Sequence, residues 1–165
     1  MTNTTSRVEA IRQHIQASYG TLLLLVDGPL TALASEKLYQ APAQGEWSIM
    51  QNLAHIVEIM PYWGNEIARA VREPGQKFGR TAEDADRLRA LDEHGTDALT
   101  EAQAALPDSY AQLDRVLATL KDSDLELTAI HKKYGERTLD WFIDEFVTTH
   151  IAGHVEQIQS CMAAV

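Results

Sequence analysis

The chain has little with which to build covalent cross-links, nucleic-acid contacts or membrane spans. Cys161 is its only cysteine, so no intramolecular disulfide can form and nothing points to an oxidising compartment. Lys and Arg together number 14 against 24 Asp and Glu, a formal charge of −10. Nucleic-acid binding needs clustered cations, and the basic groups here are as small as Lys132-Lys133. The longest aliphatic run, Leu22 to Val26, falls far short of the roughly 20 residues that cross a bilayer. The polar start, Met1 to Arg7, has no apolar signal region, so the expected location is the cytoplasm. Neither a Gly-rich phosphate loop nor a Ser-His-Asp arrangement is evident.

What remains is helical. The 165 residues suffice for one domain with one core, expected to span 1–165. A first helix is predicted from about Ser6 to the low thirties, with a stripe of Val8, Ile11, Ile15, Leu22 and Leu25 and a break at Gly28-Pro29. A second begins after Trp47, where Ser48 and Gln51 have capping-box spacing, and closes at Pro74-Gly75. Pro61 lies inside it as a candidate kink. Residues 75–97 read as a polar loop with room for a short helix. The third long helix covers about Ala98 to Lys121, with Pro107 expected to kink or restart it. The connector 122–137 allows a short extended excursion. Thr138 then caps a fourth helix reaching about Met162. Four amphipathic helices predict an all-α four-helix bundle. The long connector between the first two leaves helix order open.

The chemistry concentrates on His150 and His154. Four residues apart, they lie among Leu139, Ile143, Phe146, Val147, Ile151 and Ile158, on the side of a helix that should face the core. A buried imidazole without a partner costs about 1–3 kcal/mol. A divalent metal would satisfy the pair, as would hydrogen bonds inside the core. The two rings are spaced about 6 Å along the axis, and a metal would need a third ligand from another helix. His55 is the candidate, although it lies roughly 120° from the centre of its own apolar stripe at ~100° per residue. Periodicity alone does not separate it from His14 or His94. His14 reads as a boundary residue, and His94 and His131 as solvated. Cys161 lies ~10 Å beyond His154 along the axis, too far for the same ion, and reads as a small buried hydrophobe. Trp47, Trp63 and Trp141 read as packing residues. Asp144 and Glu145 are carboxylates that could support the imidazoles, with an exposed face as the alternative.

Two stretches carry a family resemblance. Glu46-Trp47-Ser48 followed by His55 is similar to the Trp-Ser and His pattern of the DinB-like superfamily, damage-inducible metal-binding proteins. Thr138-Leu139, Trp141, His150-x-x-x-His154 and Gln157-Ile158 resemble that family's closing helix. The resemblance implies an up-down-down-up four-helix bundle. It also implies a divalent ion, zinc or nickel, held by His55, His150 and His154. Many relatives carry an acidic residue five positions after the first His, where this chain has Met60. Glu58 is near but is expected to face away from the stripe.

Several members of the family use a low-molecular-weight thiol such as bacillithiol or mycothiol. The corresponding expectation is a metal-dependent thiol-S-transferase, or a related hydrolase-like enzyme, acting on a small electrophilic molecule. The sequence supplies no catalytic acid or base, so the competing readings are a non-catalytic, stress-related metal-binding module and a plain bundle with satisfied core histidines. A homodimer fits the family pattern, with no direct sign of it in the sequence.

Overall fold

The computed structural model describes residues 5–164. The segment Met1–Thr4, part of the stretch read as lacking a signal region, lies outside them, as does Val165. Among the described residues no helix is long and apolar enough to cross a membrane.

Four long helices form the bundle: α1 (Arg7–Asp27), α4 (Ile49–Arg72), α6 (Leu99–Leu117) and α8 (Thr149–Ala164). Short helices α2 (Pro29–Ala32) and α3 (Ser35–Tyr39) fill the first connector, and α5 (Ala85–His94) forms in the polar 75–97 segment. The start signals work as written. Ser48 Oγ accepts the Gln51 backbone N–H, and the Gln51 side chain accepts the Ser48 N–H. The Ser6 and Thr138 hydroxyls cap α1 and α7 (Leu139–Ile143) by accepting the Glu9 and Trp141 N–H groups. α6 runs unbroken through Pro107 and does not restart there, and α4 likewise continues through Pro61.

Residue pairs fix the directions. Arg12 meets Asp114 and the Gln103 side chain meets the Val26 carbonyl, so α1 and α6 are antiparallel. Ala54 lines one groove with Ala105, and Gly64 packs on Leu113, so α4 and α6 run the same way. Trp47 meets Cys161 while Asn52 meets His154, so α8 opposes α4. The course is up-down-down-up. α4 packs on α3, α5, α6 and α8, which buries it on nearly every side.

The fourth helix is not a single α-helix. α7 passes into a wide π-helical turn at Asp144–Thr148, which ends two residues before His150. Before it, the connector forms a hairpin of β1 (Thr128–His131) and β2 (Gly135–Thr138), paired antiparallel with Ala129 opposite Arg137. The loop after α4 adds to β1: Ile130 N–H donates to the Gln76 carbonyl and Phe78 N–H to the Ile130 carbonyl, at 2.9 and 2.8 Å. These bonds drive Phe78 into an aromatic cluster with Trp63, Phe142 and Phe146. They also bring the next residues, Gly79 and Arg80, against the flank of α4.

Candidate metal centre

His55 comes from the first half of α4, and His150 and His154 from the first half of α8. Antiparallel packing of these helices brings the three rings together. Nε2 of His150 lies 3.0 Å from Nε2 of His55 and 3.0 Å from Nε2 of His154. One nitrogen from each ring falls within 4.8 Å of the other two. Bonds of about 2.1 Å from three imidazoles to one ion give nitrogen separations of about 3.0–3.4 Å. The donor set therefore fits a first-row divalent cation in size and chemistry.

The neighbours determine which nitrogen of His154 carries the proton. The Asn52 side-chain amide donates to the Ser48 carbonyl at 2.9 Å, which turns its oxygen toward α8. His154 Nδ1–H then donates to that oxygen at 2.7 Å. This leaves the His154 Nε2 lone pair facing His150. Asn52 is fully buried and its amide makes both bonds. Sequence reading overlooked it; its only signal is a position one helical turn before His55, on the same face.

His55 is 1% exposed, against the expectation of a flank position. The reason is that α4 is the central helix, so its flank is covered as well as its stripe. Among the described residues its buried Nδ1 has no hydrogen-bond partner, and Glu58 Oε2, likewise buried and unpartnered, lies 3.8 Å away. Glu58 thus corrects the expectation that it faces away. Its other oxygen accepts from Arg80, which also pairs with Asp84 at 3.5 Å and lies over the Tyr62 ring at 3.8 Å. A carboxylate beside the outer nitrogen of a ligating imidazole is a common support of metal sites. Met60 is buried in the core instead.

Burial sets the protonation. Loss of water around His55 and the neighbouring His154 and His150 lower its pKa far below 6.5. Desolvation followed by the His150 ring brings His154 down to about 4, and desolvation also lowers His150. The imidazoles are held neutral, the form that donates a lone pair to a metal. Trp47 walls the cluster, stacked on His154 with ring centres 5.5 Å apart and edge-on to His55 at 5.1 Å. A cleft of about 600 Å³ adjoins Trp47 and His154, lined also by Glu46, Gln157 and Cys161. His150 is half-buried, which leaves the cluster approachable on its side.

The remaining candidates lie elsewhere. His14 is exposed, and His94 is exposed beside Asp97. His131 is not solvated as expected but 2% exposed. Its Nε2–H donates to the Arg80 carbonyl at 3.0 Å, and its Nδ1 accepts the Lys133 N–H at 3.1 Å. The hairpin covers it, which a connector reading did not foresee. Cys161 is buried, its thiol raised by burial and donating to the Trp47 carbonyl at 3.3 Å. Asp144 faces Thr149 at 3.4 Å and is exposed. Among the described residues neither Asp144 nor Glu145 bonds to the three imidazoles.

Comparisons agree with this architecture. The Bacillus subtilis protein YfiT, a probable metal-dependent hydrolase with an unusual four-helix bundle topology, superposes with a TM-score of 0.77 over 99% of this chain and 91% of its own, at 14% identity. The uncharacterized protein YuaE of Bacillus subtilis (strain 168) is 29% identical over 140 residues, 79% of this chain and 86% of the relative. The family pattern of the DinB superfamily matches residues 25–158. The chain belongs to the DinB superfamily.

Proposed function

We propose that His55, His150 and His154 hold a divalent ion, zinc or nickel, through their Nε2 atoms, and that this centre serves a metal-dependent thiol-S-transferase. The observation that carries the reading is the convergence of three neutral imidazoles whose Nε2 atoms are separated by 3.0 Å along two edges. The family assignment and the metal-dependent character printed for YfiT support it. A divalent ion held there supplies Lewis acidity, which favours thiolate over thiol on a low-molecular-weight thiol.

The chain's own residues do the positioning. Asn52 fixes the His154 ring and its tautomer, and Trp47 prevents both His154 and His55 from turning away. Trp47 also keeps the Cys161 thiol engaged with its own carbonyl, so the reacting thiol is an external one. We read the protein as one cytoplasmic domain, 1–165, acting on a small molecule, with a homodimer as the assembly to test by light scattering.

Elemental analysis of the purified protein beside His150→Ala tests the metal. The expected result is near-stoichiometric metal in the wild type and little in the variant; equal content in both ends the reading. Turnover with a panel of thiols and an electrophile tests the reaction. Saturating metal without any turnover would favour a non-catalytic metal-binding module.

A further inference from the structure

Two guanidinium groups stand beside the three imidazoles, and they differ in how their charge is met. Arg80 is answered by Glu58 and Asp84. Arg87, in the first turn of α5, has no carboxylate in direct contact; Glu58, Glu83 and Asp84 act on it only from farther away. Its guanidinium donates to the neutral Ala82 carbonyl at 2.8 Å, lies over the Trp47 ring at 5.3 Å, and makes no ion pair among the described residues. It is also partly withdrawn from water, and burial followed by repulsion from Arg80 lowers its affinity for its proton. The same Trp47 ring stacks on His154, so Arg87 and the imidazole cluster share one wall. A half-buried cation with no ion-pair partner among the described residues, on the same wall as the imidazole cluster, favours an anion lying between the two.

We propose that Arg87 is the anion-holding arm of this site. The molecule that reaches the three imidazoles carries an oxyanion, carboxylate or phosphate, that lies along Trp47 and pairs with the Arg87 guanidinium. This assignment rests on the reading of the imidazole cluster as a metal centre, and it narrows the substrate to small anionic compounds. The planar fork of Arg suits two oxygens of one group, and a lysine would offer only a point charge. On a chain with a formal charge of −10, an anionic substrate needs such a local cation.

The test uses wild type, Arg87→Met and Arg87→Lys, each metal-loaded and metal-stripped, titrated with acetate, inorganic phosphate and neutral acetamide. Binding is followed through the NMR signal of the Trp47 indole N–H. Saturable binding of acetate or phosphate is expected in the wild type, at least tenfold weaker in Arg87→Met and intermediate in Arg87→Lys, with none for acetamide. Whichever oxyanion binds more tightly names the group. Metal affinity is expected to rise severalfold in Arg87→Met, because an opposing charge is gone; a merely structural role would not raise it. Equal oxyanion affinity in wild type and Arg87→Met, no saturable binding of either oxyanion, or equal binding of acetamide would overturn the assignment. Arg87-dependent oxyanion binding by a protein that takes up no metal would sink the metal reading and leave this one standing.

Discussion

The Asn52 side-chain oxygen and His154 Nδ1, 102 positions apart in sequence, are joined by a 2.7 Å hydrogen bond inside the bundle. The bond makes His154 a one-sided donor: proton outward, lone pair toward the other imidazoles. Replacing Asn52 by Ala frees the ring to take the other tautomer and leaves the Ser48 carbonyl without the amide. Loss of such a support costs about 10–100-fold in metal affinity. The expected result for Asn52→Ala is a fall in that range, measured by chelator competition, with the helical signal retained. Unchanged affinity would show that the tautomer is set by something else.

Glu58 ties the imidazole cluster to the loop after α4. It faces His55 with one oxygen and Arg80 with the other, and the Arg80 side chain is only 9% exposed. Removing the carboxylate leaves the buried Arg80 cation with only the longer contact to Asp84 at 3.5 Å, which costs up to about 3 kcal/mol. Glu58→Ala should lose that much in urea denaturation. The double variant Glu58→Ala with Arg80→Met should lose less than the two single losses combined, because the Glu58–Arg80 interaction is then lost only once. Additive losses would mean that the pair is not coupled.

The neutral imidazoles give the metal-free protein a definite pH dependence. Burial holds the folded-state pKa values of His55, His150 and His154 below the ordinary 6.5, with repulsion from neighbouring imidazoles adding at His55 and at His154, which sits at about 4. Below about 6.5 the unfolded chain takes up protons that the folded chain refuses. The stabilisation is therefore complete above that pH and drains away as pH falls toward about 4. The slope is at most about 1.4 kcal/mol per pH unit for each imidazole. Urea midpoints in the presence of a chelator should drop between pH 7.5 and pH 5. The drop should be shallower in His150→Ala. A flat profile would contradict the burial argument.

The four long helices were legible because their stripes, caps and breakers are local signals. Ser48 with Gln51, Gly28-Pro29 and Thr138 act where they stand in the chain. The paired His150 and His154 were legible for the same reason. His55 was legible as a residue but not as a buried one, because a helix covered by four others has no solvent face for periodicity to find. Asn52, Glu58 and Arg87 act through partners on other elements or across a bend in the chain, and no single-helix pattern marks them. His131 was misread because a connector that pairs into a hairpin can bury what a loop would expose.

Gly79 tests whether the loop after α4 is held as tightly as these contacts require. Its φ is +68°, a region that costs other residues about 1 kcal/mol. A Cβ there would also meet Trp63 Cζ3 at 2.7 Å and Cη2 at 2.9 Å. Trp63 cannot yield, since its ring is stacked on Phe146 with centres 4.4 Å apart and on Phe78 at 5.7 Å. The Gly79 N–H is fixed as well, donating to Glu66 at 2.5 Å. Strain and overpacking together should cost Gly79→Ala about 3 kcal/mol. Gly75 is the control: its φ is +77°, and a Cβ there meets nothing within 4 Å. Gly75→Ala should therefore lose only about 1 kcal/mol. Urea denaturation of the two variants separates backbone strain from the contact with Trp63, and equal losses would mean that the loop moves aside at no cost.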